Sequence, residues 1–285
     1  MKNRNTKLAW LLPSLLIVAS LTACSSNSSD KSASAACNPT DLKTVAASTL
    51  TIATGEPAYP PWVLNDKPES GEGFEAAVAY AVAKQLGYTN DQVKWIRTTF
   101  DGAIAPGPKN FDFNIQQYSI TDERAKVVDF SSAYYFSNQA IVSYKGSKIE
   151  KITSIAGLKD AKAKIGAAVA STSLDAAEKV LGLKPSVFND NAAAVTALKN
   201  KQIDGIVVDL PTAFYLSAAE VTNGIIVGQF KNVDGADKGA GVLLAKDSPV
   251  TACVTKAIDA LRDNGELAAI EAKWLTASAG APVLK

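Results

Sequence analysis

From Leu50 onward, short apolar runs alternate with stretches whose apolar residues recur at helical spacing. Leu50–Ala53, Val93–Phe100, Asn138–Tyr144, Lys164–Val169, Gln202–Leu210, Ile225–Phe230 and Val242–Ala245 read as strands. Gly73–Gly87 sets Phe74, Val78, Ala81, Val82 and Leu86 on one helical stripe before a glycine stop, and Leu174–Leu181, Asn191–Lys199 and Val250–Trp274 read as further helices. Such alternation specifies α/β layers, in which ligands sit in the crevice outside the carboxyl ends of the strands. Two polar segments, Lys145–Lys148 and Lys231–Gly239, read as crossings between two lobes of this kind.

Composition removes several classes of function. None of the 285 residues is histidine, which excludes Ser-His-Asp and Cys-His nucleophile systems and His-bearing zinc sites while leaving lysine- or carboxylate-based catalysis open. A formal net charge of +1, with no basic block, argues against nucleic acid as a partner. Gly239-Ala240-Gly241 is surrounded by no GxGxxG or Walker pattern, and neither a cofactor nor a metal is expected.

The stretch Phe111–Tyr135, FDFNIQQYSITDERAKVVDFSSAYY, carries the most chemistry. It opens strand-like and changes period at Thr121, a good N-cap followed by Asp122 and Glu123 in the favourable first turn of a helix. A capping box would place Glu or Gln three residues after the cap, but the chain places Arg124 there. A cation at a helix N-terminus works against the macrodipole by roughly 0.3–1 kcal/mol unless an anion joins it. The planar fork of an arginine suits a carboxylate or phosphate, and a solvated surface arginine is the alternative. Thr54–Trp62 follows a strand with three prolines and a glycine, a stiff loop where a ligand would bind. Ala170–Ser173 sets three hydroxyls ahead of a helix, a cap and a ready anion site. Asp209 ends a buried strand, a costly place for a carboxylate without a partner.

These segments together resemble the family 3 bacterial extracellular solute-binding proteins, the polar amino-acid receptors of ABC importers. The matching residues are Ser119, Thr121, Asp122, Glu123, Arg124, Val128, Asp129, Phe130, Ser131 and the Tyr134-Tyr135 pair, and the resemblance runs from about Leu50 to Leu275. It implies a type II periplasmic-binding-protein-like fold, two α/β lobes joined by two hinge crossings with a ligand cleft between them. Lobe 1 would comprise residues 48–141 plus 236–285, and lobe 2 residues 142–235. By the same resemblance Arg124 takes a ligand α-carboxylate with Ser119 beside it, and Thr172 with Ser171 closes from the opposite lobe. Asp209 holds the α-ammonium, Tyr59 stacks on the ligand with Trp62 behind it, Phe74 forms a wall, and Glu56 meets the ligand side chain. Trp62 as plain core, Glu56 as a solvated loop charge and Asp209 as a helix cap are the alternatives. The chain departs from the family at Gln116-Gln117-Tyr118, where small residues such as Ala-Gly-Met are usual. Glu56, Gln117 and Tyr118 near the ligand side chain, with no second cation placed there, favour a polar neutral or basic amino acid over an acidic one. The implied partners are a free amino acid and ABC permease subunits, with a monomeric receptor. A cyclohexadienyl dehydratase-like enzyme on the same fold and a non-transport amino-acid sensor are the alternatives.

The first residues read as an address. Lys2, Arg4 and Lys7 precede an apolar stretch, Leu8–Ala19, too short for a comfortable membrane span. Leu21-Thr22-Ala23-Cys24 resembles the bacterial lipobox, which implies a signal peptide over residues 1–23, lipid on Cys24 and a protein anchored to the outer face of the cell membrane. Residues 24–47 read as a flexible tether. Export would leave Cys37 and Cys253 in an oxidising compartment, where they are expected to bridge, a buried free thiol at Cys253 being the alternative. Cys24→Ala is expected to move the protein from the membrane to the soluble fraction, checked by fractionation and immunoblotting. Continued membrane retention would count against lipidation.

Overall fold

The computed structural model describes residues 37–233, 238–275 and 280–285, so Cys24 and the leader lie outside the described residues. Two sheets of five strands organise them. In the first, β1 (Leu50–Thr54) lies between β2 (Val93–Arg97) and β3 (Phe113–Asn114), both parallel to it. β10 (Ala240–Ala245) then inserts antiparallel between β3 and β4 (Val128–Tyr135). The second sheet has the order β7 (Ser186–Phe188), β6 (Ile165–Ala168), β8 (Gly205–Asp209), β5 (Gln139–Tyr144), β9 (Gly224–Phe230). Here β6 is parallel to both neighbours and β5 antiparallel to both of its own.

The strands are apolar on both faces, so each sheet must be covered on both sides. α1 (Phe74–Gln85), α7 (Thr251–Asp263) and α8 (Glu266–Leu275) bury Leu50, Ile52, Val242 and Leu244 on one face of the first sheet. The short α2 (Phe100–Ile104) covers Ala53, Val128 and Leu243 on the other. In the second sheet, α3 (Ile155–Asp160) and α4 (Thr172–Lys179) pack on Ile141 and Val207, while α5 (Asn191–Lys199) and α6 (Leu210–Tyr215) pack on Ala140, Val142, Ile206 and Val208. Neighbours in sequence thus feed opposite layers, as a pleated strand requires.

Several segments differ from the sequence reading. Gln139–Tyr144 lies inside the second sheet, so the chain crosses between lobes at 136–138 rather than at Lys145–Lys148. Its buried Ala140, Ile141 and Val142 need cover on both faces, which a place between β8 and β9 supplies. The second crossing, Lys231–Gly239, joins β9 to β10 as read, with 234–237 outside the described residues. The end of the chain makes a third passage: Val283 bridges Gln229 of β9, Lys285 exchanges backbone hydrogen bonds with Thr153 and Ile155, and Leu284 is buried in the second lobe's core. Within the stretch read as tether, residues 37–47 are pinned, because Leu42 is buried and the Val45 N–H donates to Asp112 at 2.7 Å. The helix expected after Thr121 is a single 3-10 turn, Arg124–Lys126, since Val128–Tyr135 is drawn into pairing with β10. Glu123, rather than Thr121, stands at its N-cap, although the Thr121 hydroxyl accepts the Arg124 N–H at 3.2 Å.

Cys37 and Cys253 form the expected disulfide, tying the start of the described chain to α7 across 216 residues of sequence. Closing so long a loop contributes about 5 kcal/mol in the chain-entropy model. Replacing both cysteines by serine is expected to lower the thermal unfolding midpoint by roughly 10 °C, read by differential scanning calorimetry. An unchanged midpoint would mean that the bridge constrains nothing.

Candidate functional site

The carboxyl ends of both sheets face a cavity of about 540 Å³ between the lobes. Loop 55–62 after β1, the Thr98–Asp101 segment after β2 and Gln116–Gln117 after β3 form one side, while the first turns of α4, α5 and α6 form the other. Gly73 makes the first of these loops possible. It sits at φ +107°, and a Cβ there would lie 2.5 Å from the Trp62 carbonyl oxygen. Without a side chain, α1 starts hard against the loop, with the Phe74 and Glu75 N–H groups donating to the Pro61 and Trp62 carbonyls.

Of the residues singled out in the sequence, Glu56, Tyr59, Trp62, Gln117, Ser171, Thr172 and Asp209 line this cavity. Ser119 stands at its edge, in a small recess shared with Trp62, Gln117 and Asp209. Phe74 and Tyr118 are fully buried and sit behind the wall. Phe74 supports Trp62 and Tyr135 through edge contacts, and Tyr118 stacks on Phe100 at 4.7 Å. Phe100, in turn, faces the cavity. Arg124 is 8% exposed. Its guanidinium lies 5.5 Å over the Phe100 ring, and its Nη1 and Nη2 donate to the Ser119 and Ala170 carbonyls at 2.7 Å each.

Ala170 belongs to the second lobe, so the Arg124 contact spans the cleft. Three others do the same. The Ser119 and Thr172 hydroxyls are 3.1 Å apart, Trp62 Nε1 donates to Thr212 Oγ1 at 2.7 Å, and Tyr59 meets the Tyr215 ring at 6.0 Å between centroids. Ala170 adopts a left-handed φ of +57°, a cost of about 1–2 kcal/mol for a residue with a Cβ that turns its carbonyl toward Arg124. Ser171 caps α4 by accepting the Leu174 N–H, while its own hydroxyl donates to Ala168. Asp209 precedes α6 without capping it through its side chain; its carboxylate accepts from Gln139 Nε2 at 2.7 Å.

The walls are acidic. Glu56, Asp101, Asp190 and Asp209 all line the cavity, and no lysine or arginine is among its lining residues. Asp190 also caps α5 through the Ala193 N–H. Burial, followed by Glu220 and Asp190, raises the pKa of the Tyr59 phenol. Sequence reading missed Asp101 and Asp190, although each sits in the first turn or at the cap of a helix that follows a strand. Among the described residues no cluster of His, Cys, Asp and Glu is built to hold a metal.

Two α/β lobes closing on a cavity at the carboxyl ends of their strands define a solute-binding protein of the type II periplasmic-binding-protein fold. The chain belongs to the bacterial extracellular solute-binding proteins, family 3, whose model matches residues 50–277. It is 30% identical over 210 residues to the arginine-binding extracellular protein ArtP of Bacillus subtilis, covering 72% of this chain and 78% of that one. It is also 30% identical over 254 residues to a probable histidine-binding protein of Campylobacter jejuni, covering 86% and 89%. Among solved structures, an ancestral arginine-binding protein bound to glutamine matches with a TM-score of 0.66 at 32% identity, over 80% of this chain and 98% of that one.

The cross-cleft contacts set an expectation for the ligand-free protein. Trp62→Phe removes the donor to Thr212 and is expected to shift the molecule toward a more open form, seen as a larger radius of gyration in small-angle X-ray scattering. An identical scattering profile would show that this bond does not hold the lobes together.

Proposed function

We propose that the solute is a free amino acid with a basic side chain, arginine foremost, delivered to the permease of an ABC importer. The observation that carries this reading is the cavity wall with four carboxylates and no lining cation. A zwitterion is neutral overall, so the side chain decides the electrostatic outcome. A guanidinium is attracted by such a wall and an acidic side chain is repelled. Tyr59, Trp62 and Phe100 add aromatic faces on which a planar cation can stack. The names of the relatives, arginine- and histidine-binding proteins, support the same class.

The capture mechanism follows from the cross-cleft contacts. When the lobes part, Arg124 loses the Ala170 carbonyl and Ser119 loses the Thr172 hydroxyl. The ligand α-carboxylate then takes their place between Arg124 and the first turn of α4, and Asp209 receives the α-ammonium. Because these partners belong to both lobes, a bound ligand favours the closed form by its differential affinity, the shape a permease would read. The receptor acts by binding without chemical change and works as a monomer outside the cell, held to the membrane by lipid on Cys24.

Isothermal titration with arginine, lysine, glutamine and glutamate tests the reading. Arginine is expected to bind with a Kd of about 1 μM, close to −8 kcal/mol, and glutamate not at all. Tightest binding of glutamate would overturn the proposed ligand class. Arg124→Ala is expected to weaken arginine binding at least about a hundredfold, the loss of a buried charge-assisted pair, with the fold intact by circular dichroism. Retained affinity would remove Arg124 from the carboxylate role.

A further inference from the structure

We propose that Glu75 is a positioning residue for the solute cavity, whose ionised carboxylate holds both N–H groups of the cavity-lining Gln117 and whose protonation frees the Gln117 side-chain amide. Glu75 is fully buried in the second position of α1 and does not touch the cavity. Its Oε1 accepts the Gln117 backbone N–H at 2.7 Å and the Tyr134 hydroxyl, and its Oε2 accepts the Gln117 side-chain amide. Both N–H groups of one residue therefore end on one carboxylate. Gln117 itself lies at φ +50°, a conformation a residue with a Cβ keeps only when its surroundings impose it. It lines both the main cavity and the recess shared by Ser119 and Asp209. The inference deepens the proposed binding of a basic amino acid and rests on that reading for its effect on affinity.

An ionised carboxylate only accepts hydrogen bonds, which matches three donors pointed at it. A protonated acid must donate one. The Tyr134 hydroxyl or the Gln117 side-chain amide must turn to receive that proton; on Oε2 it is the amide that gives up its donation, while the backbone N–H stays on Oε1. The titratable groups facing Glu75 are Tyr134 from β4, Tyr118 from the turn and Asp209 from the end of β8. Burial first, and the Asp209 charge in addition, push Glu75 up to about 7, against the lowering effect of its three donors. Since the folded value lies above the ordinary carboxylate value, the fold loses stability as pH rises from about 4.5 to about 7, the window in which the unfolded chain has already released this proton. The form that holds the Gln117 side-chain amide is thus the less stable charge state, and it is populated above neutrality.

The test is a pH titration of the ligand-free full chain by ¹⁵N–¹H NMR from pH 5.5 to 8.5, with Glu75→Gln as comparison. The backbone and side-chain amide resonances of Gln117 are expected to move in the wild type with a midpoint near 7 and to stay still in the variant. Wild-type Gln117 resonances that do not move, or that move equally in the variant, would overturn the proposal whether or not any amino acid binds. On the wild type, arginine affinity is expected to fall about tenfold from pH 8 to pH 6, the loss of one hydrogen bond's worth of wall, and to be flat for Glu75→Gln. A wild type that titrates at Gln117 but binds no arginine would instead overturn the proposed ligand. A purely structural Glu75 would alter the melting temperature and leave both pH profiles unchanged.

Discussion

A guanidinium held almost out of water is the constraint on which the cleft is built. Arg124 is reached by carbonyls from both lobes, and a buried cation is tolerated only while acceptors surround it. Everything near it serves that requirement. Thr121 accepts its backbone N–H, Phe100 covers its face, and Ala170 takes a strained backbone conformation to offer its oxygen. With the lobes together, that charge is met by carbonyls from both sides. A carboxylate is a better acceptor than a peptide carbonyl, and the proposed capture uses that difference to let a ligand displace the protein's own backbone.

The layers of the fold were legible because periodicity is a local property. α1, α5 and most strands lie where the apolar spacing placed them, and the cysteines met once export was inferred. The errors concern partners distant in sequence. Nothing between Gln139 and Tyr144 says which sheet will take it, since apolar alternation only demands cover on both faces. The helix after Thr121 was cut to one turn by pairing with β10, more than a hundred residues away.

The site divides along the same line. Glu56, Tyr59, Trp62, Ser171, Thr172 and Asp209 were found as loop or strand-end residues, and each faces the cavity. Tyr118 and Phe74 failed that test because burial behind a wall and exposure within it give the same apolar signature in sequence. Asp101 and Asp190 escaped notice because an acidic residue at a helix start is ordinary capping chemistry. Gln117 was read as a residue beside the ligand side chain and it does line the cavity, whereas its bond to Glu75 depends on a helix that begins some forty residues earlier.

The third passage of the chain between lobes has a mechanical consequence. Leu275 ends α8 on the first lobe, and Gly280 begins the segment that runs along β9 on the second. Five peptide steps join them, which reach at most about 18 Å when fully extended. The carboxyl-terminal segment is therefore a leash of fixed length. Lobe separation at that edge stops when the leash is taut, unless Leu284 is pulled from the core. In the proposed opening, this edge has a limit of its own, beside the limit that the short crossing at 136–138 sets at the other.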